Sequence, residues 1–177
     1  MWKQAANAIP WLLVGTAAGL KFADIDQSLP FLTHRSILTH SCLLALILFW
    51  GAQKQSGQRR TAGRLTAIGF SLANAVHLSF DLFPKAWWRH ALIHIPGYGW
   101  TSPMFSWVWL LASVFLCLWL ALQRMHSKRE LLLGLGCLVA AYSVAALTEP
   151  PIAGRALFML LILGLGAFAL PRRQQSS

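Results

Sequence analysis

A chain of 177 residues has room for one domain, and 56% hydrophobic against 11% charged residues, with a mean hydropathy of +0.55, excludes a soluble globule in favour of a polytopic membrane protein. The net charge of +10 in isolation suggests nucleic acid, but the basic residues are scattered over short loops with no recognition motif beside them. They read as membrane topology and contact with anionic lipid headgroups.

A helix crosses the hydrocarbon core with about 17 to 25 apolar residues, and the chain offers six segments to measure against that length. Segment 8–22 is short and reads as a tilted, half-inserted or re-entrant helix; the Lys-Phe-Ala-Asp-Ile-Asp that follows argues against a cleaved signal peptide. Spans 37–52 and 65–83 carry polar residues and are joined by a Gly, Ser and Gln connection at 55–63. The clearest span is 105–122, followed by 131–147 and 156–170. The expected fold is therefore all-α, a single integral membrane domain over 1–177 with about six membrane-inserted helices. Cys42, Cys117 and Cys137 have no close pairing and apolar neighbours, so they read as packing residues. Trp87, Trp88, Trp100, Trp107 and Trp109 gather near one boundary, first as an aromatic belt and second as a surface for a lipid.

Basic residues in short loops favour the cytoplasmic side. With 55–63 inside, ten Lys and Arg fall inside and five outside, which puts both termini in the cytoplasm. Five of the six histidines and four of the five acids then lie on the outer side, leaving His126 and Glu130 inside.

Ser71, Asn74, His77 and Asp81 recur at helical spacing and form one polar stripe. A carboxylate at the bilayer centre costs roughly 2.5–3.5 kcal/mol, so such a stripe faces the bundle interior or a wet cavity. It serves either as structural glue between helices or as half of a metal site. The metal reading gains from Asp24 and Asp26 in ADIDQ and from His34 and His40 in HRSILTHS, because a divalent ion needs several N and O donors from different segments. His34 is placed in the loop and His40 in the first turns of the next helix, with Ser36 or Thr33 as its cap. Arg35 is suited to holding a phosphate bidentately, or to a salt bridge with Asp24, Asp26 or Asp81. His90 and His94, at i, i+4 in WWRHALIHIP, are either further ligands or an interfacial amphipathic turn.

The segments ADIDQ, HRSILTHS and HLSFDLFP, in that order over 23–84, resemble the inner-membrane, metal-dependent hydrolases of the YdjM type. That resemblance implies a multi-spanning helical bundle, a divalent metal, and kinship with zinc-dependent phospholipase C and nuclease-like helical enzymes. This chain departs from the pattern at Ala23, Gln27 and Ser36, and Asn7 stands as the one polar substitute for an early histidine.

The expectation is a hydrolase at the outer face of a cytoplasmic membrane, acting on a phosphate ester of a lipid or amphiphile. The ion, Zn2+ with Mn2+ or Mg2+ as alternatives, is held by ligands from Asp24, Asp26, His34, His40, His77 and Asp81. Asp26 doubles as the candidate general base, and Arg35 stabilises charge on phosphate. No Gly-x-Ser-x-Gly elbow or P-loop is present. The competing class is a metal-binding transporter or structural membrane protein. A transporter, however, spreads polar groups through the bilayer depth, whereas here the last three spans hold almost none.

Overall fold

A computed structural model describes residues 8–83 and 92–171. Six α-helices lie among them: α1 Ile9–Phe22, α2 Leu43–Gln53, α3 Gly57–Asp81, α4 Pro103–Gln123, α5 Lys128–Thr148 and α6 Pro150–Ala169. A 3-10 turn, Ala23–Ser28, continues α1, and a two-residue hairpin pairs β1 (His94–Ile95) with β2 (Gly99–Trp100). The expected all-α bundle is therefore what the chain forms.

Local chemistry explains several boundaries. Leu29 precedes Pro30, which disfavours helical backbone; it is extended at φ −106°, ψ 112°, and the 3-10 turn stops there. Ser102 and Ser127 cap α4 and α5 by accepting hydrogen bonds from the backbone N–H of Phe105 and Glu130. Prolines occupy the opening positions of α1, α4 and α6, where the missing N–H costs nothing.

α4, α5 and α6 are long and apolar enough to cross a membrane. Much of their surface faces outward, with Leu132, Leu147, Leu165 and Phe168 exposed. α1 has 14 residues and α2 has 11, so they reach only about 21 Å and 16 Å, short of a hydrocarbon core of about 30 Å. α3 has the length, at 25 residues, but its first turns carry Arg59, Arg60 and Arg64. Among the described residues three helices qualify as spans, not six.

Two boundaries correct the sequence reading. The helix expected from residue 37 begins at Leu43, so 37–42 is irregular; its N-cap is Cys42, with no side-chain capping bond, and neither Ser36 nor Thr33 serves. The connection expected at 55–63 is confined to Lys54, Gln55 and Ser56, because α3 already starts at Gly57.

α3 is the axis of the bundle. Nearly every residue from Leu65 to Phe80 is buried, and α1, α2, α4, α5 and α6 all pack on it. α1 comes closest because Gly15 and Gly19, four residues apart, face α3 where Gly69 faces back. A Cβ at Gly15 would overlap the Thr66 carbonyl oxygen, one at Gly19 that of Phe70, and one at Gly69 that of Leu12. Small residues at this spacing let helix backbones touch in a bilayer. The contact sets the end of α1, and with it Asp24 and Asp26, beside the last turns of α3.

Candidate metal centre

Three segments converge at the C-terminal end of α3: the 3-10 turn, the irregular stretch 29–42, and α3 itself. The stretch is pinned from several sides. Asp26 Oδ2 accepts from the Ser36 N–H (3.0 Å) and the Thr39 hydroxyl (2.7 Å), and Asn74 Nδ2 donates to the Ser41 carbonyl (2.9 Å). Trp109 Nε1 donates to the His40 carbonyl (3.0 Å), while His94 and the Arg35–Ile37 backbone exchange bonds of 2.9 and 2.8 Å. These contacts hold Arg35 at φ 63°, a left-handed conformation that costs a non-glycine residue about 1–3 kcal/mol.

His40 is the hub of the cluster and is fully buried. Its Nδ1 lies 3.3 Å from Asp26 Oδ2, and its Nε2 lies 3.3 Å from Asp81 Oδ2. His77 Nε2 approaches the same Asp81 oxygen at 3.4 Å and Asp24 Oδ1 at 3.9 Å. His34 Nδ1 stands 3.4 Å from Asp26 Oδ1, with the ring half outside. Five of the six residues singled out from the sequence fall in two groups that could hold a metal ion, Asp26, His34 and His40, and His40, His77 and Asp81, while Asp24 stands at the edge, nearest His77.

The second group has the better geometry. His40 Nε2 and Asp81 Oδ2 are buried and, though close, lie out of hydrogen-bond alignment; neither has a hydrogen-bond partner. Buried polar atoms are rarely left so. Four ligands at 2.0–2.1 Å around zinc stand about 3.3–3.4 Å apart along a tetrahedron's edges. The separations of His40 Nε2 and His77 Nε2 from Asp81 Oδ2, 3.3 and 3.4 Å, match that edge. The donors are N and O with no thiolate, because the three cysteines are buried and free elsewhere.

Asp26 stands behind His40, away from this group. A carboxylate on one imidazole nitrogen fixes the tautomer and aims the other nitrogen at a metal, and Asp26 is placed to do so. Burial opposes its ionisation, but bonds from His40, Thr39 and Ser36 hold the carboxyl far below the usual range. Such a group is a poor base and a good orienting anion. Burial likewise pulls His40 towards neutrality, yet the charge of Asp81 and the close approach of the Asp81 and Asp26 carboxylates raise its pKa to about 9.

His40 lies ahead of α2 and not in its first turns, as already noted for the helix boundary. Arg35 Nε sits 3.6 Å from Asp81 Oδ1, which is the salt bridge weighed against a phosphate role. His94 is on β1 with its ring against Trp100, and it joins neither metal-holding group; His90, with Lys85, Trp87, Trp88 and Arg89, lies outside the described residues. Gln27, where the resemblance has histidine, donates to Asp24 Oδ1 at 2.9 Å.

The sequence reading missed the cavity beside the cluster. It measures about 500 Å³ between α1, α3 and the end of α5, bounded on one side by Asp24, His77 and Asp81 and on another by Leu20, Phe80 and Val144. Lys21, Thr148 and Glu149 also line it. The only available signal was that Lys21 stands one helical turn before Asp24. No family model, curated protein or solved structure matches the chain.

Proposed function

We propose that this chain is a metal-dependent hydrolase of an inner membrane, acting on a phosphate ester of a lipid or another amphiphile. The observation that carries the metal is the spacing of His40, His77 and Asp81, a zinc-like edge at which His40 Nε2 and Asp81 Oδ2 are buried without a hydrogen-bond partner. The cavity's mixed lining supports an amphiphile, with an apolar wall for a chain and a polar wall at the donors. The order of the ADIDQ, HRSILTHS and HLSFD segments, similar to that of the YdjM-type hydrolases, supports hydrolysis.

A divalent ion here supplies Lewis acidity and lowers the pKa of a water it holds towards neutrality. His40, His77 and Asp81 would hold it, and Asp24 stands near enough to His77 to complete the set or to serve as a base. The Thr39 hydroxyl, which itself donates to Asp26, and the Asp26 carboxylate behind it would keep the His40 Nδ1 proton in place, leaving Nε2 for the ion. Lys21 at the cavity wall and Arg35 beside Asp81 meet the phosphate oxygens.

Elemental analysis of the purified protein is expected to find about one zinc, or a comparable divalent ion, per chain. A screen of phospholipids, polyprenyl phosphates and phosphodiesters is expected to reveal turnover that chelator stops. No bound metal, together with unchanged thermal stability in chelator, sinks the proposal. Arg35→Lys separates that residue's two roles: metal kept and turnover lost favours phosphate, whereas metal lost favours a scaffold for Asp81.

The ten-to-five split of basic residues supports a centre on the outer side and termini in the cytoplasm. Because the native cysteines are buried, Ser28→Cys should react with an impermeant thiol reagent from outside, and Gln55→Cys only after the inner face is opened. The reverse labelling moves the centre to the cytoplasm.

A further inference from the structure

At the opposite end of α3, three arginines from two elements turn into one cavity of about 290 Å³: Arg60 and Arg64 from α3, and Arg124 from the end of α4, with His126 beside them. Among the described residues, the carboxylate paired with these arginines is Glu130, and both its oxygens are engaged by Arg64, at 2.8 and 2.7 Å. Arg124 lies over the Phe49 ring, 5.7 Å from its centroid, and with the Gln53 amide oxygen turned towards it donates two bonds of 2.9 and 2.8 Å. Neither contact removes its charge. Arg60 has no carboxylate partner among the described residues.

Two guanidinium charges therefore share a polar cavity with no counter-ion among the described residues: Arg124 is held by a ring and an amide, Arg60 is exposed at the rim, and Arg64 is already taken by Glu130. Their field reaches His126, whose pKa is lowered by burial and by Arg64, Arg124 and Arg60, against the pull of Glu130. Converging like charges are unfavourable unless an anion joins them, and planar guanidinium forks match the oxygens of a phosphate.

We propose that this cavity is a phosphate-binding site, separate from the metal centre, with Arg60 and Arg124 as the principal contacts. The phosphate belongs either to the headgroup of an anionic phospholipid, as basic pockets between membrane helices hold, or to a free phosphate ion.

The full chain in a neutral detergent, titrated calorimetrically with inorganic phosphate, reads the free ion. The chain in phosphatidylcholine nanodiscs with and without phosphatidic acid, followed by thermal stability and by lipid retained on native mass spectrometry, reads the headgroup. Saturable binding in the first arm assigns a free phosphate; retention and stabilisation in the second alone assign the lipid. Either is expected to weaken at least tenfold in R60Q/R124Q and to change less than twofold in R59Q, which removes a neighbouring charge that does not line the cavity. R60Q alone, lacking a structural contact to lose, is expected to weaken binding severalfold in a normally folded chain. No saturable binding in either arm, or equal losses in R59Q and R60Q, overturns the proposal.

Discussion

The two ends of α3 are both crowded with charge, and they are built on opposite plans. At the N-terminal end, Arg64 and Glu130 form a closed pair: two parallel bonds of 2.8 and 2.7 Å, with the His126 N–H donating to the same carboxylate at 2.8 Å. At the C-terminal end, His40, His77 and Asp81 are as crowded but not closed, for His40 Nε2 and Asp81 Oδ2 lie 3.3 Å apart without a bond. Proximity of opposite charges therefore does not separate a structural ion pair from a group that could hold a metal ion. What separates them is whether the protein's own hydrogens satisfy the acceptors.

The largest expected effect breaks the open end. His77→Ala and Asp81→Asn should each reduce metal from about one ion per chain to background by elemental analysis, because each removes a donor of a small set. Both variants should still fractionate with membranes, since α4, α5 and α6 are untouched. Arg64→Gln, at the closed end, should keep its full metal.

Asp26→Asn is expected to weaken metal affinity about 10–100-fold without abolishing it, the usual cost of losing the carboxylate behind a ligating histidine. Competition with a chromophoric chelator measures this. A loss as complete as that of Asp81→Asn would move Asp26 from orienting anion to direct ligand.

A smaller and graded effect follows from His40. In the metal-free protein its pKa is raised from 6.5 to about 9, so at neutral pH the ion must displace a proton. Apparent metal affinity should rise by about tenfold per pH unit below the folded pKa and level off above it. Calorimetry in buffers of different ionisation enthalpy should find proton release at pH 7. The same shift stabilises the metal-free fold fully below pH 6.5, and that contribution is lost as pH rises through about 9.

The smallest effect is at the closed end, where Arg64→Gln or Glu130→Gln should cost about 1–3 kcal/mol of stability through lost charge-assisted bonds. Side-chain exposures of 14% and 18% leave that pair only lightly screened. Thermal unfolding in detergent reads it, and any change in bound metal would undo the contrast between the two ends.

The residues alone carried the helical class, because apolar content and run length decide helix against strand in a bilayer. They also carried the three long spans and the five residues of the two groups that could hold a metal, since histidines and acids are few and conspicuous in so apolar a chain. Six helices were legible, but six spans were not: α2 is shortened because Asp26, Asn74 and Trp109, all distant in sequence, capture the backbone of 36–41. The polar stripe of α3 likewise splits into separate tasks. Ser71 bonds back to the Ala67 carbonyl and Asn74 anchors the loop, while His77 and Asp81 face the donors. Only tertiary packing decided that Asp26 aims His40, that Gly15 and Gly69 bring two backbones into contact, and that α5 closes a cavity over Asp24 and His77. The physical reason is range: periodicity and hydropathy act within a few turns of chain, whereas a site is made by groups that only close packing brings within a bond's length.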